Sequence, residues 1–89
     1  PAEIKWIEAA GDYMCVQTLS ESYVVRTTLC ELLKRLGEQN FKRCNRSVAV
    51  NAKHVAHLEQ KLNQQRVIMQ DGEAFKITHK YYYQFWQTD

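Results

Sequence analysis

Only one stretch of the chain repeats with the period of a helix, and that limits what the remainder can form. Leu29, Leu32, Leu33 and Leu36 fall at i, i+3, i+4 and i+7, so they line one face of a helix over about residues 28–36. Thr28 with Glu31 three residues on matches a capping box, Glu31 stands four residues before Arg35 for an ion pair, and Gly37 suits a left-handed C-terminal cap. A helix of about two turns does not hold together alone in water, so its leucine face needs a sheet to pack on.

Strand-like segments supply that sheet. Ile4–Glu8, Tyr13–Thr18 and Tyr23–Thr27 are rich in β-branched and aromatic residues and are separated by the turn segments Ala9–Asp12 and Ser20–Ser22, which predicts a meander. After the helix, Phe41–Arg43 and Val48–Asn51 read as short strands around the loop Asn45-Arg46-Ser47. His54–Leu58 reads as a further strand, followed by a polar loop or hairpin end over Lys61–Gln65. Arg66–Gln70 and Glu73–Ile77 flank Asp71-Gly72, the two-residue signature of a type I′ hairpin. Tyr81–Trp86 is expected to form a short C-terminal helix with Thr78 as its cap. The fold class is therefore mainly β, with one short amphipathic helix, in a single domain over residues 1–89.

Composition excludes several functions. A hydrophobic content of 45% and a charged content of 25% belong to an ordinary globular domain, and no apolar run approaches the roughly 18 residues that cross a bilayer. The start, Pro1–Trp6, has no basic segment followed by an apolar one, so no signal peptide is read and a cytoplasmic location is expected. Three cysteines, Cys15, Cys30 and Cys44, are odd in number and irregular in spacing, which fits a reducing compartment rather than a disulfide framework. Cys44 beside Arg43 reads as a small buried hydrophobe in preference to a reactive thiol. Neither a Gly-rich cofactor fingerprint nor a nucleophile or carboxylate-pair motif occurs, so no enzyme and no cofactor is expected. His54-x-x-His57, with Cys44 or His79, is the best metal pattern, but in a strand that spacing sends the rings to opposite faces, so no metal site is expected.

What remains is charge. The chain carries a net charge of only +2, yet no Asp or Glu occurs from Gln39 to Leu58, where Lys42, Arg43, Arg46 and Lys53 lie, nor from Ala74 to Thr88, where Lys76, His79 and Lys80 lie. Such runs attract a polyanion, and an arginine fork can read guanine O6 and N7 bidentately. Asn45 and Ser47 flank Arg46 with further donors and acceptors. A solvated basic strand edge on a protein-interaction module is the competing reading. The aromatic run Tyr81, Tyr82, Tyr83, Phe85, Trp86 reads as core packing, with stacking of unpaired bases as its alternative.

The order Trp6-Ile7-Glu8-Ala9-x-x-Asp12-Tyr13, Thr28-Leu29-x-Glu31-Leu32, Phe41-x-Arg43-Cys44-x-Arg46-Ser47-x-x-Val50-Asn51 and Asp71-Gly72, closed by a basic-Tyr segment, resembles a LytTR-type DNA-binding domain over nearly the whole chain. The resemblance implies an elongated fold of small antiparallel sheets, serving as the output domain of a bacterial transcription regulator. Loops would insert into successive major grooves of double-stranded DNA. It also implies an excised C-terminal fragment without the family's first strand or strands, an upstream receiver or other sensory domain, and a second copy on an adjacent half-site. Carried over by position, base contacts fall on Met14, Arg46 and His79, with Asn45 beside Arg46; the polar and basic residues of the acid-free runs, Lys42, Arg43, Ser47, Lys53 and Lys80, are expected to contact phosphate. Only Arg46 is a typical occupant. The relatives usually have His-Arg-Ser where this chain has Asn45-Arg46-Ser47, and Ser-Arg where it has Thr78-His79.

Overall fold

The computed structural model describes residues 3–37 and 39–86. The meander is present as β1 (Ile4–Ala10), β2 (Tyr13–Thr18) and β3 (Ser22–Val25), followed by helix α1 (Leu29–Leu36). Then come β4 (Phe41–Arg43), β5 (Val48–Asn51), a 3-10 turn over Ala52–His54, β6 (Val55–Lys61), β7 (Gln64–Met69), β8 (Ala74–Ile77) and a second 3-10 segment over His79–Gln84. These strands make a five-stranded antiparallel sheet in the order β3-β2-β1-β5-β4 and a three-stranded antiparallel sheet in the order β6-β7-β8. The domain measures 35 × 27 × 24 Å, longest in one direction as the elongated fold requires.

The larger sheet is the middle layer, and the alternation of its central strands serves a core on each face. Ile7 and Ala49, paired across β1 and β5, face α1 and join Met14, Val16, Leu29, Leu32, Leu33 and Phe41. Trp6, Val48 and Val50 point the other way and, with Cys44 of the β4–β5 loop, meet Val67, Met69, Phe75 and Ile77 from the second sheet. Trp6 and Phe75 contact edge to face, with ring centroids 5.1 Å apart. The leucine stripe is thus core, as its period predicts. Every residue of β5 is buried, including Asn51, whose amide donates to the Ile4 carbonyl (2.8 Å) and accepts from the Lys53 N–H (3.0 Å).

Local details depart from the expectations where side chains found different partners. Thr28 caps α1 by accepting from the Glu31 N–H at 3.2 Å, and Gly37, at φ +88°, donates to the Leu33 carbonyl. Glu31 accepts from the Thr27 hydroxyl at 3.3 Å, and among the described residues it forms no ion pair with Arg35. The β7–β8 hairpin exists, but its turn is not type I′, which needs positive φ at two central residues. Gly72 alone is left-handed (φ +96°), and the connection widens to Gln70–Glu73, closed by Gly72 N–H to Met69 O (2.9 Å) and Met69 N–H to Glu73 O (2.8 Å). The Asp71 carboxylate explains the wider turn, because it accepts from the Glu73 N–H (3.0 Å) and from Lys5 Nζ (2.7 Å). A two-residue turn occurs instead at Leu62-Asn63, between the paired Lys61 and Gln64, with Leu62 at φ +57°. The terminal segment is a 3-10 helix beginning at His79, and Thr78 holds it through its backbone carbonyl (2.9 Å from Tyr81 N) without a side-chain cap.

Candidate nucleic-acid interface

The β4–β5 loop is held from several sides. Asn45 Oδ1 accepts from the Ser47 N–H (2.9 Å), closing an Asx turn, while Asn45 Nδ2 donates to the Lys76 carbonyl on β8 (2.9 Å). Arg43 Nη2 donates to the Arg46 carbonyl (3.0 Å), and Ala9 N–H donates to the Ser47 carbonyl (2.7 Å). The neighbours of Arg46 are thereby committed to backbone. The Arg46 side chain is exposed, and among the described residues no hydrogen bond or ion pair engages its guanidinium.

The segment after β8 joins this loop directly. Thr78 N–H donates to the Cys44 carbonyl (2.9 Å). Tyr81, 8% exposed, has two cations over its ring, Arg43 at 4.9 Å and Lys80 at 5.5 Å from the centroid. Cation–π attraction holds both basic groups against one anchored ring. His79 is exposed and meets the Tyr82 ring edge-on at 4.9 Å. Arg46, Thr78, Lys80 and Tyr81 line one shallow concavity. The Arg46 loop and the Thr78–Tyr81 segment, one from each acid-free run, therefore adjoin on one face. On its other side Arg46 borders a second concavity at the start of α1, lined also by Asp12, Arg26, Thr28 and Glu31.

The residues singled out from sequence take different places. Arg46, His79 and Lys80 are exposed at this face. Asn45, Ser47 and Arg43 build the loop, and the Arg43 Nε is buried without a partner. Lys42 is half-buried on β4, across from Val50. Lys53 is exposed on the turn beyond Asn51, at the end of β5 opposite the Arg46 loop, about 10 Å of strand away by the usual rise per residue. Met14, where the resemblance puts a base contact, is 1% exposed: it shares a face with Val16, packs in the helix-side core and reaches only the floor of that second concavity. His54 bonds Glu3 through Nε2 (2.9 Å), and His57 lies exposed on β6. Burial pushes the Cys44 thiol up to about 12, so it stays protonated at neutral pH. Within the aromatic run, Tyr81 is buried and Tyr82 and Phe85 pack against the inter-sheet core, while Tyr83 and Trp86 remain exposed.

Sequence reasoning missed Tyr81 as the clamp of the face, and it missed Arg26 and Asp12 as neighbours of Arg46. Nothing in a run of three tyrosines distinguishes the one that Arg43 will cover. The charged neighbours come from other elements, so counting acids along the chain did not reveal them.

A small two-sheet β domain that presents fixed cations on one loop-built face belongs to the class of nucleic-acid-binding β modules. The chain is a member of the LytTr DNA-binding domain family, whose profile matches residues 1–88. It is 28% identical over 80 residues to the "Sensory transduction protein LytT" of Bacillus cereus, and equally to that of Bacillus anthracis. Those matches cover 89% of this chain and 32% of each relative, so the chain spans about a third of their length. In fold it is similar to the solved LytTr DNA-binding domain of a methyl-accepting/DNA response regulator from Bacillus cereus. The TM-score is 0.80 at 22% identity, covering 89% of this chain and 73% of that one. Among the described residues no helix is long and apolar enough to cross a membrane.

Proposed function

We propose that this domain is the sequence-specific, double-stranded-DNA-binding output module of a bacterial two-component transcription regulator, acting in the cytoplasm. Arg46 reads a base in one major groove. His79 contributes beside it, and Lys80 neutralises phosphate. Arg43, Asn45 and Ser47 hold the loop in the shape that delivers Arg46. An upstream receiver domain and a second copy on an adjacent half-site complete the regulator. The observation that carries this reading is the exposed guanidinium of Arg46, unengaged among the described residues, on a loop that the Asn45 amide and Arg43 Nη2 fix by bonds to backbone. Such preorganisation lowers the ordering cost of binding and favours one groove geometry.

A bidentate arginine–guanine pair contributes roughly 1 to 3 kcal/mol of discrimination. Fluorescence titrations should therefore show Arg46→Ala losing about 10- to 100-fold in affinity for duplexes selected from a random pool, with its affinity for random duplex much less affected. Arg46→Lys should not restore it, because an ammonium lacks the planar fork. Unchanged affinities in Arg46→Ala would remove this loop from the interface. A wild-type protein that binds no duplex at low salt would favour the protein-interaction reading.

A further inference from the structure

Met14 is withdrawn into the core, which leaves the first loop of the face without the reader that resemblance assigns to it. The residue this loop presents instead is Asp12, exposed at the tip of the Gly11-Asp12 turn between β1 and β2. Gly11, at φ +63°, lets the chain reverse there, and the Ala9 N–H bond to the Ser47 carbonyl sets that turn beside the Arg46 loop. Asp12 and Arg46 line the same concavity, together with Arg26. Among the described residues no hydrogen bond or ion pair within the protein engages the Asp12 carboxylate.

We infer that Asp12 is a specificity-determining residue, accepting a hydrogen bond from the exocyclic amino group of cytosine in the groove that Arg46 enters; this rests on the DNA-facing reading of the Arg46 loop. A free carboxylate near the phosphate backbone is repelled by every sequence alike. Only a donor on a base edge offsets that repulsion, and in the major groove the cytosine N4 amino group is the donor that carboxylates accept from. Arg26 and Arg46 offset the charges of Asp12 and Glu31 on the same concavity, and Lys80 lies on the other side of Arg46, so the face still approaches DNA. Asp12 thus penalises binding by charge alone and favours sites with a correctly placed cytosine.

The test is binding-site selection from a random duplex pool with the wild-type chain, Asp12→Ala and Asp12→Asn, beside Arg46→Ala as a control. Circular dichroism confirms that each variant is folded. Asp12→Ala should lose preference for cytosine at one position of the motif, by roughly tenfold in discrimination, and should gain affinity for random duplex. Asp12→Asn should move the preference at that position toward adenine, whose N6 and N7 an amide matches. An unaltered motif in both Asp12 variants, with or without a uniform shift in affinity, would overturn the inference. If Arg46→Ala alters the motif and the Asp12 variants do not, only this inference fails. If none of the variants alters motif or affinity, the reading of the whole face fails with it.

Discussion

At the scale of single residues, the face divides into side chains that are held and side chains that are free. Asn45 spends its acceptor on Ser47 and its donor on Lys76, and Arg43 lies against Tyr81 while bonding the Arg46 carbonyl. Arg46 and Lys80 remain at the surface of one concavity, whereas Lys53 is exposed at the far end of β5. Lys80→Ala should accordingly reduce the slope of log affinity against log salt by about one, the value for a single phosphate contact, while Lys53→Ala should leave it unchanged. Titrations at several ionic strengths read the difference, and an equal reduction of the slope in the two variants would place Lys53 on the interface after all. The exposed place of Arg46 was legible from sequence because a charged residue in a short loop between two strands is a local fact. The burial of Met14 was not, since it depends on α1 packing over β2, and a strand residue's face is settled only by what covers the sheet.

At the scale of elements, short-range chemistry explains both the successes and the misses. The helix from Leu29 to Leu36 and the strands flanking the Arg46 loop were readable from period, cap and composition. The hairpin after β7 was readable as a hairpin, but its turn type was not. Asp71 is engaged by Lys5, far away in sequence, and that tertiary contact overrides the local Asp-Gly preference. The Lys5 ammonium and the Glu73 N–H hold the Asp71 carboxyl below the usual carboxylate range. Because the folded-state value is depressed, the contribution to stability is present above the unfolded value and is lost as pH falls through the folded one. In Lys5→Met the Asp71 carboxyl should titrate closer to its ordinary value, and this acid-range loss should shrink. Carbon-detected NMR titration of Asp71 measures the first effect, and unchanged titration in the variant would rule out the ammonium as the main cause.

At the scale of the whole molecule, β1 and β5 serve the helix-side core and the inter-sheet core at once, through Ile7 and Ala49 on one face and Trp6, Val48 and Val50 on the other. The β1–β2 turn and the Arg46 loop grow from these same strands, and the segment after β8 is tied to them by the Thr78 N–H bond to the Cys44 carbonyl. Ile7 is fully buried, and Ile7→Ala should cost about 2 to 5 kcal/mol. Helix and second sheet should then unfold together at a lower denaturant midpoint, which far-ultraviolet dichroism and Trp6 fluorescence in a Trp86→Phe background would report as coincident transitions. Separated transitions would mean that the layers are independent. The proposed function makes the β1–β2 turn, the Arg46 loop and the Thr78–Tyr81 segment one DNA-binding face. Backbone amide NMR during titration with a selected duplex tests it most directly. The largest shifts should fall on residues 9–12, 44–48 and 76–81, with little change at Lys53 and across Gln70–Glu73. Shifts concentrated on Lys53 and Gln70–Glu73, or on the exposed edge of β3, would contradict it.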